Sequence, residues 1–294
     1  MNLKMTALAM LLAVAALPAQ ADDTLKKIAD SGRISVAYRE SSVPFSYIAA
    51  AGKPVGFSVE LGNAIVDEVR RRTGKANLEV NYVSVTSQNR IPLLVNGTID
   101  LECGSTTNNS TRAKDVSFAI NHFYTGTRLL AKKMSRIANY ADLAGKTVSS
   151  TTGTTNAQVM RKYNTDNGLN MDIVLAKDHS DAMLLVDADR AKAFAMDDIL
   201  LYGLMATAKN PGEWEVVGDS LQVEPYACML RRDDPRFKEL VDGVIGAMMK
   251  NGEFDRLYTK WFMAPIPPNN INLRLPMAPQ LRENLKNLSD KPAL

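Results

Sequence analysis

What most constrains this chain is the order of its periodicities: stretches with apolar residues at alternate positions take turns with stretches whose apolar residues recur at helical spacing. Residues 33–39 read as a strand, with Ile34 and Val36 on alternate positions. Residues 57–72 carry Leu61, Ala64, Ile65 and Val69 at helical spacing and stop at Thr73-Gly74, where a glycine is a common helix end. Residues 78–85 alternate again, and 89–96 predict a short helix with Pro92 in its first turn and Gly97 beyond its end. The next strand is expected over 99–103. Strands alternating with helices in this way predict an α/β fold with largely parallel sheets. The pattern recurs weakly. Leu93-Leu94-Val95, a turn, the strand 99–103 and a polar cluster from Ser105 are echoed by Leu184-Leu185-Val186, a turn, a strand over 191–195 and Asp197-Asp198. Two similar α/β units are therefore expected. Past residue 264 the chain changes character: Pro265, Pro267, Pro268, Pro276 and Pro279 interrupt it, and 280–288 reads as a last helix that wraps the body or frays.

The first residues bear on the compartment. Lys4 precedes an apolar stretch over 5–18, shorter than the roughly 20 residues that span a bilayer. Ala19-Gln20-Ala21 fits a small-x-small cleavage site, so residues 1–21 are expected to be an export signal and the mature chain to begin at Asp22. No cysteine follows the apolar stretch, so no lipid anchor is expected, and no later segment is apolar enough for membrane insertion. The mature chain is long enough for two modest domains. With a formal charge of +3, 6% aromatics and no long basic run, nucleic acid is not an expected partner. Cys103 and Cys228 are the only cysteines. In an exported chain they either form a disulfide, tying a late segment to an early strand, or stay buried as small apolar thiols. Spacing leaves both open.

Enzyme signatures are missing. His122 and His179, the only histidines, lack metal-ligand spacing, and Gly153-Thr154-Thr155 lacks the lysine and second glycine of a phosphate loop. Neither a G-x-S-x-G elbow nor a G-x-G-x-x-G loop occurs. Asp197 and Asp198, adjacent in an extended segment, point to opposite faces and suit no shared carboxylate pair. No cofactor and no metal are expected. What remains are hydroxyls and single charges just past strands, where open α/β sheets bind ligands: Arg39, then Ser87 and Arg90, then Ser105 to Thr107 with Arg112, and in the second unit residues 150–155, His179 and Asp197. Arginine forks match carboxylates, hydroxyls and helix N-terminal amides complete an anion's hydrogen bonds, and an aspartate suits an ammonium. Each residue alone reads as a surface charge or a cap; their shared placement points to a site.

Beyond this reading, the mature chain resembles the periplasmic amino-acid-binding proteins of ABC transporters over essentially its whole length. Gly56-Phe57-Ser58-Val59-Glu60-Leu61, Asp142-Leu143-Ala144-Gly145-Lys146-Thr147-Val148, Leu230-Arg231-Arg232-Asp233-Asp234-Pro235 and the ending from Gly252-Glu253-Phe254 to Lys260-Trp261-Phe262 carry the broad likeness. Arg39-Glu40-Ser41-Ser42-Val43-Pro44-Phe45-Ser46-Tyr47, Thr86-Ser87-Gln88-Asn89-Arg90-Ile91-Pro92, Glu102-Cys103-Gly104-Ser105-Thr106-Thr107-Asn108-Asn109, Ala176-Lys177-Asp178-His179 and Met196-Asp197-Asp198 are similar to the glutamate/aspartate-binding members. The resemblance implies a type II, Venus-flytrap fold of two lobes. Lobe 1 would comprise 22–125 and 224–294 and lobe 2 would comprise 126–223, with two hinge crossovers near 123–127 and 224–227. It implies a periplasmic monomer that captures L-glutamate or L-aspartate for the membrane permease of an ABC transporter. Arg112 and Thr107 would hold the ligand α-carboxylate, and Ser105 and Asp197 the α-ammonium. Arg39, Ser87, Arg90 and His179 would hold the side-chain carboxylate, with Thr155 adding anion hydrogen bonds. The three arginines against Asp197 leave +2, facing a ligand of charge −1. Two residues depart from the broad pattern: Ser58, expected to be surface variation, and Thr111, which removes a carboxylate that commonly supports the following arginine. The competing readings are an amino-acid dehydratase on the same scaffold, with His179 its one credible acid or base, and a sensor domain, which would bring a membrane or signalling segment.

Overall fold

The computed structural model describes residues 23–49 and 52–293. The expected export signal, its cleavage point and the start at Asp22 lie outside the described residues. In chain order, β1 (Arg33–Tyr38), β2 (Glu79–Ser84), β3 (Leu101–Glu102) and β4 (Val116–Phe118) lead to a short β5 (Phe123–Thr125). Then come β6 (Thr127–Lys132), β7 (Thr147–Thr151), β8 (Asp172–Ala176), β9 (Ala193–Asp197) and β10 (Trp214–Val217), followed by β11 (Glu224–Tyr226) and β12 (Met229–Arg231). They form two five-stranded sheets, ordered β2-β1-β3-β12-β4 and β8-β7-β9-β6-β10. Each sheet has three parallel strands on one side, then an antiparallel strand and a further strand paired antiparallel to it. The weak repeat is thus a shared topology, with β3 and β9 in the same central place.

The sheets are joined by β5 and β11, which pair antiparallel, Glu224 opposite Thr125 and Tyr226 opposite Phe123. Around this link Phe45 packs edge-on against Phe123 and Tyr226, with ring centroids 4.9 and 5.2 Å away. Such edge-to-face pairs contribute to stability beyond the area they bury.

Local chemistry accounts for the element ends. The helix Phe57–Thr73 starts after Gly56, whose φ of +138° and contact with the Pro44–Phe45 backbone exclude a side chain. It stops at Gly74, left-handed at φ 66°, whose N–H bonds Arg70 O. The strand expected over 99–103 shortens to Leu101–Glu102, because buried Asp100 engages Ser35 N at 3.0 Å, Lys27 Nζ at 2.8 Å and Arg231 Nη2 at 3.1 Å. The strand expected over 191–195 runs later, so Asp197 is its last residue and Asp198 opens the helix Asp198–Thr207. Ser58 is a correction. It is fully buried, not on the surface, and its hydroxyl donates to Gly104 O at 3.0 Å.

The tail wraps. Its helix Pro279–Asn287 sets Asn284 Nδ2 on Asn121 O at 2.7 Å, and Asn108 Nδ2 donates to Asp290 O at 2.8 Å. Cys103 and Cys228 are joined as a disulfide, which decides between the two readings of that pair. Among the described residues no helix is long and apolar enough to cross a membrane.

Candidate functional site

The cleft between the sheets is built from the ends of parallel strands on both sides. β1 leads to Arg39, β2 to Ser87 and Arg90, and β3 to Ser105, Thr107 and Arg112; β7 leads to Thr155, β8 to His179, and β9 ends on Asp197. All of these but Arg39 line one narrow space between the two sides, together with Thr154, Asn156, Met196 and Leu200. The two sides touch across it. Arg112 Nη2 donates to Gly153 O at 3.2 Å, and Thr107 Oγ1 lies 3.4 Å from Thr155 Oγ1.

One end is rich in donors. Arg90 is buried, donates through Nη1 to Ser105 O at 3.3 Å, and leaves Nε without a partner; Ser87 Oγ is likewise buried and unpartnered. Burial first, then the charge of Arg112, press Arg90 down to about 9, so it remains cationic at neutral pH. Arg39 stands behind this wall and donates through Nη2 to Asp178 Oδ1 at 2.7 Å, with His179 Nε2 at 3.3 Å. A guanidinium only donates, so His179 Nε2 accepts and its proton sits on Nδ1, 2.9 Å from Thr151 Oγ1. Burial, with Arg39 adding to it, holds His179 near 3. Its imidazole is neutral.

The other end is rich in acceptors. Asp197 accepts from Asn156 Nδ2 at 2.7 Å and from the Tyr226 hydroxyl. Burial, then the nearby Glu224 carboxylate, raise Asp197 well above the usual carboxylate range. Glu224 is fully buried and takes hydrogen bonds from Thr155 Oγ1 at 2.6 Å, from Thr107 Oγ1 and from Gln222 Nε2. Ser105 Oγ donates to Ser42 Oγ at 3.2 Å. Arg112, half-buried, is held by Thr107 O at 3.0 Å and by Gly153 O, so carbonyls supply what the carboxylate absent at Thr111 would have given.

The sequence reading passed over Asp178, Asn156, Tyr226 and Glu224. Asp178 had a local signal, since it caps the helix His179–Asp187 through His179 N. Glu224 had none: only the pairing of the crossovers brings it under the cleft. These acids correct the charge count. Asp178 and Glu224 were left out of the +2 count, which overstates the positive charge around the cleft; the structure instead gathers donors at one end and acceptors at the other.

Mixed sheets of this topology, joined by paired crossovers over a polar cleft, define a two-lobed binding protein. Residues 34–264 match the bacterial extracellular solute-binding proteins, family 3, and the chain belongs to that family. It is 46% identical, over 99% of both chains, to the glutamate/aspartate import solute-binding protein of Escherichia coli. To the L-glutamate/L-aspartate-binding protein of Pseudomonas aeruginosa it is 44% identical, over 97% of this chain and 96% of that one. Among solved structures, an ancestral amino acid-binding protein described as a precursor of cyclohexadienyl dehydratase superposes with a TM-score of 0.70 at 26% identity. That match covers 81% of this chain and 99% of the other.

Proposed function

We propose that this protein is a periplasmic binding protein that captures L-glutamate or L-aspartate and delivers it to the membrane permease of an ABC importer. The observation that carries the reading is the pair of buried, unpartnered donors on the cleft wall, Arg90 Nε and Ser87 Oγ, with Arg39 Nε and Nη1 equally unpartnered behind them. Burying a donor without an acceptor is costly, and a carboxylate at that end satisfies several at once. Arg112 suits the α-carboxylate, and Asp197 the α-ammonium. Lobe boundaries at residues 125/126 and 223/224 place β5 and β11 beside the hinge. Nothing in the site favours the dehydratase alternative, because both ring nitrogens of its one credible acid or base, His179, are engaged by Arg39 and Thr151. Calorimetric titration of the exported protein with the common amino acids tests the reading. Glutamate and aspartate should bind far more tightly than glutamine and be recovered unchanged. Equal affinity for glutamine, or turnover of glutamate, would overturn it.

A further inference from the structure

Glu224 belongs to none of the roles assigned above, yet it is a fully buried carboxylate directly under the cleft floor. Its position follows from the fold. Residues 106–108 run beside the return crossover, with Asn108 N on Pro225 O at 2.8 Å and Ala227 N on Thr106 O at 3.1 Å. That brings Thr107 over Glu224 from one lobe, while Thr155, first residue of the helix Thr155–Asp166, reaches the same Oε2 from the other.

We propose that Glu224 is a positioning residue that fixes the hydrogen-bonding sense of Thr107 and Thr155, making both hydroxyls acceptors for the ligand's α-ammonium. A hydroxyl has one proton and two lone pairs, and a carboxylate only accepts. Both protons are committed to Glu224, so the faces of Thr107 Oγ1 and Thr155 Oγ1 turned to the cleft can only accept. With Asp197 they give three acceptors from both lobes, the number that an ammonium with three N–H groups requires. The hydroxyl of Thr107 is then unavailable to the α-carboxylate, which falls to Arg112 and backbone N–H groups. Because Thr107 and Thr155 come from opposite lobes, the acceptor set is complete only when the lobes meet.

This inference rests on the amino-acid reading of the cleft, and its test separates the two. Glutamate affinity is measured by calorimetry for wild type, Glu224→Ala and Glu224→Gln. Removing the acceptor in Glu224→Ala frees the hydroxyl protons and should weaken glutamate by about tenfold or more, the effect of one lost hydrogen bond to a charged group. Glu224→Gln keeps an oxygen for the two hydroxyls while removing the charge, and half-buried Gln222 can turn its amide to meet the new nitrogen; it should stay within about threefold of wild type. Equal losses in both variants would make the effect one of charge, and no loss in either would make Glu224 a bystander; both results overturn the proposal. Should Glu224→Ala fail to fold, Thr155→Val against Thr155→Ser asks the same question, and the proposal is overturned if valine binds glutamate as serine does. A wild type that does not bind glutamate fails the functional reading instead.

Discussion

At Arg90 a full charge is buried with its Nε unpartnered, so its value to a ligand depends on what that ligand brings to this end of the cleft. Losing one partner of a buried, hydrogen-bonded charge pair costs roughly 2–5 kcal/mol. Arg90→Ala should weaken glutamate by about that much and glutamine far less, and the ratio of their affinities, measured by titration, is the check. Arg39 is a less clean probe, because its guanidinium also bonds Asp178 of the other lobe. Proton release supplies a second test. Asp197 is raised well above the usual range by burial and by Glu224. An ammonium beside it favours the ionised form and lowers that value. Binding should therefore release protons at pH values below the raised one, and glutamate affinity should fall as pH falls through that window. Titrations in buffers of different ionisation enthalpy count the protons. Because His179 is held near 3, it should add no step between pH 5 and 8. The cleft-lining residues were legible because they follow strands and lie in matching segments. Glu224 was not, since a carboxylate in a crossover shows its role only when Thr107 and Thr155 arrive from distant elements.

Among the elements, the crossovers matter most, and the disulfide bears on one of them. Cys103 directly follows β3 and Cys228 stands between β11 and β12, at a sequence separation of 125. Closing so long a loop restricts the unfolded chain, an effect of about 4–5 kcal/mol in the chain-entropy picture and often less in practice. The double variant Cys103→Ser, Cys228→Ser should lose about 2–5 kcal/mol of unfolding free energy in denaturant titrations, with glutamate affinity retained if the crossovers keep their pairing. The sequence revealed strand and helix order well, because alternation and glycine stops act locally. It misplaced 99–103 and 191–195, where the partners of buried Asp100 and a paired sheet strand, each distant in sequence, fix the ends.

For the whole molecule, the two lobes meet where they present bare backbone to each other. Gly203 lies inside the helix Asp198–Thr207, and a Cβ there would sit 2.8 Å from the Val43 carbonyl carbon of the other lobe. Alanine is favoured over glycine in a helix interior by up to about 1 kcal/mol. Gly203→Ala should therefore leave the melting temperature of the free protein unchanged or raised. It should nonetheless cost about 1–3 kcal/mol of glutamate affinity, as overpacking does. Small-angle scattering should show a smaller radius of gyration in wild type with saturating glutamate, and a weaker change in the variant. The same enclosure governs timing. Arg112 on Gly153 and Arg39 on Asp178 tie the two lobes together across and behind the cleft, so a held molecule is expected to leave only when these contacts part. Its departure is clocked by the parting of the lobes, so an excess of competitor cannot hasten exchange: the release rate should be indifferent to how much rival ligand surrounds the protein.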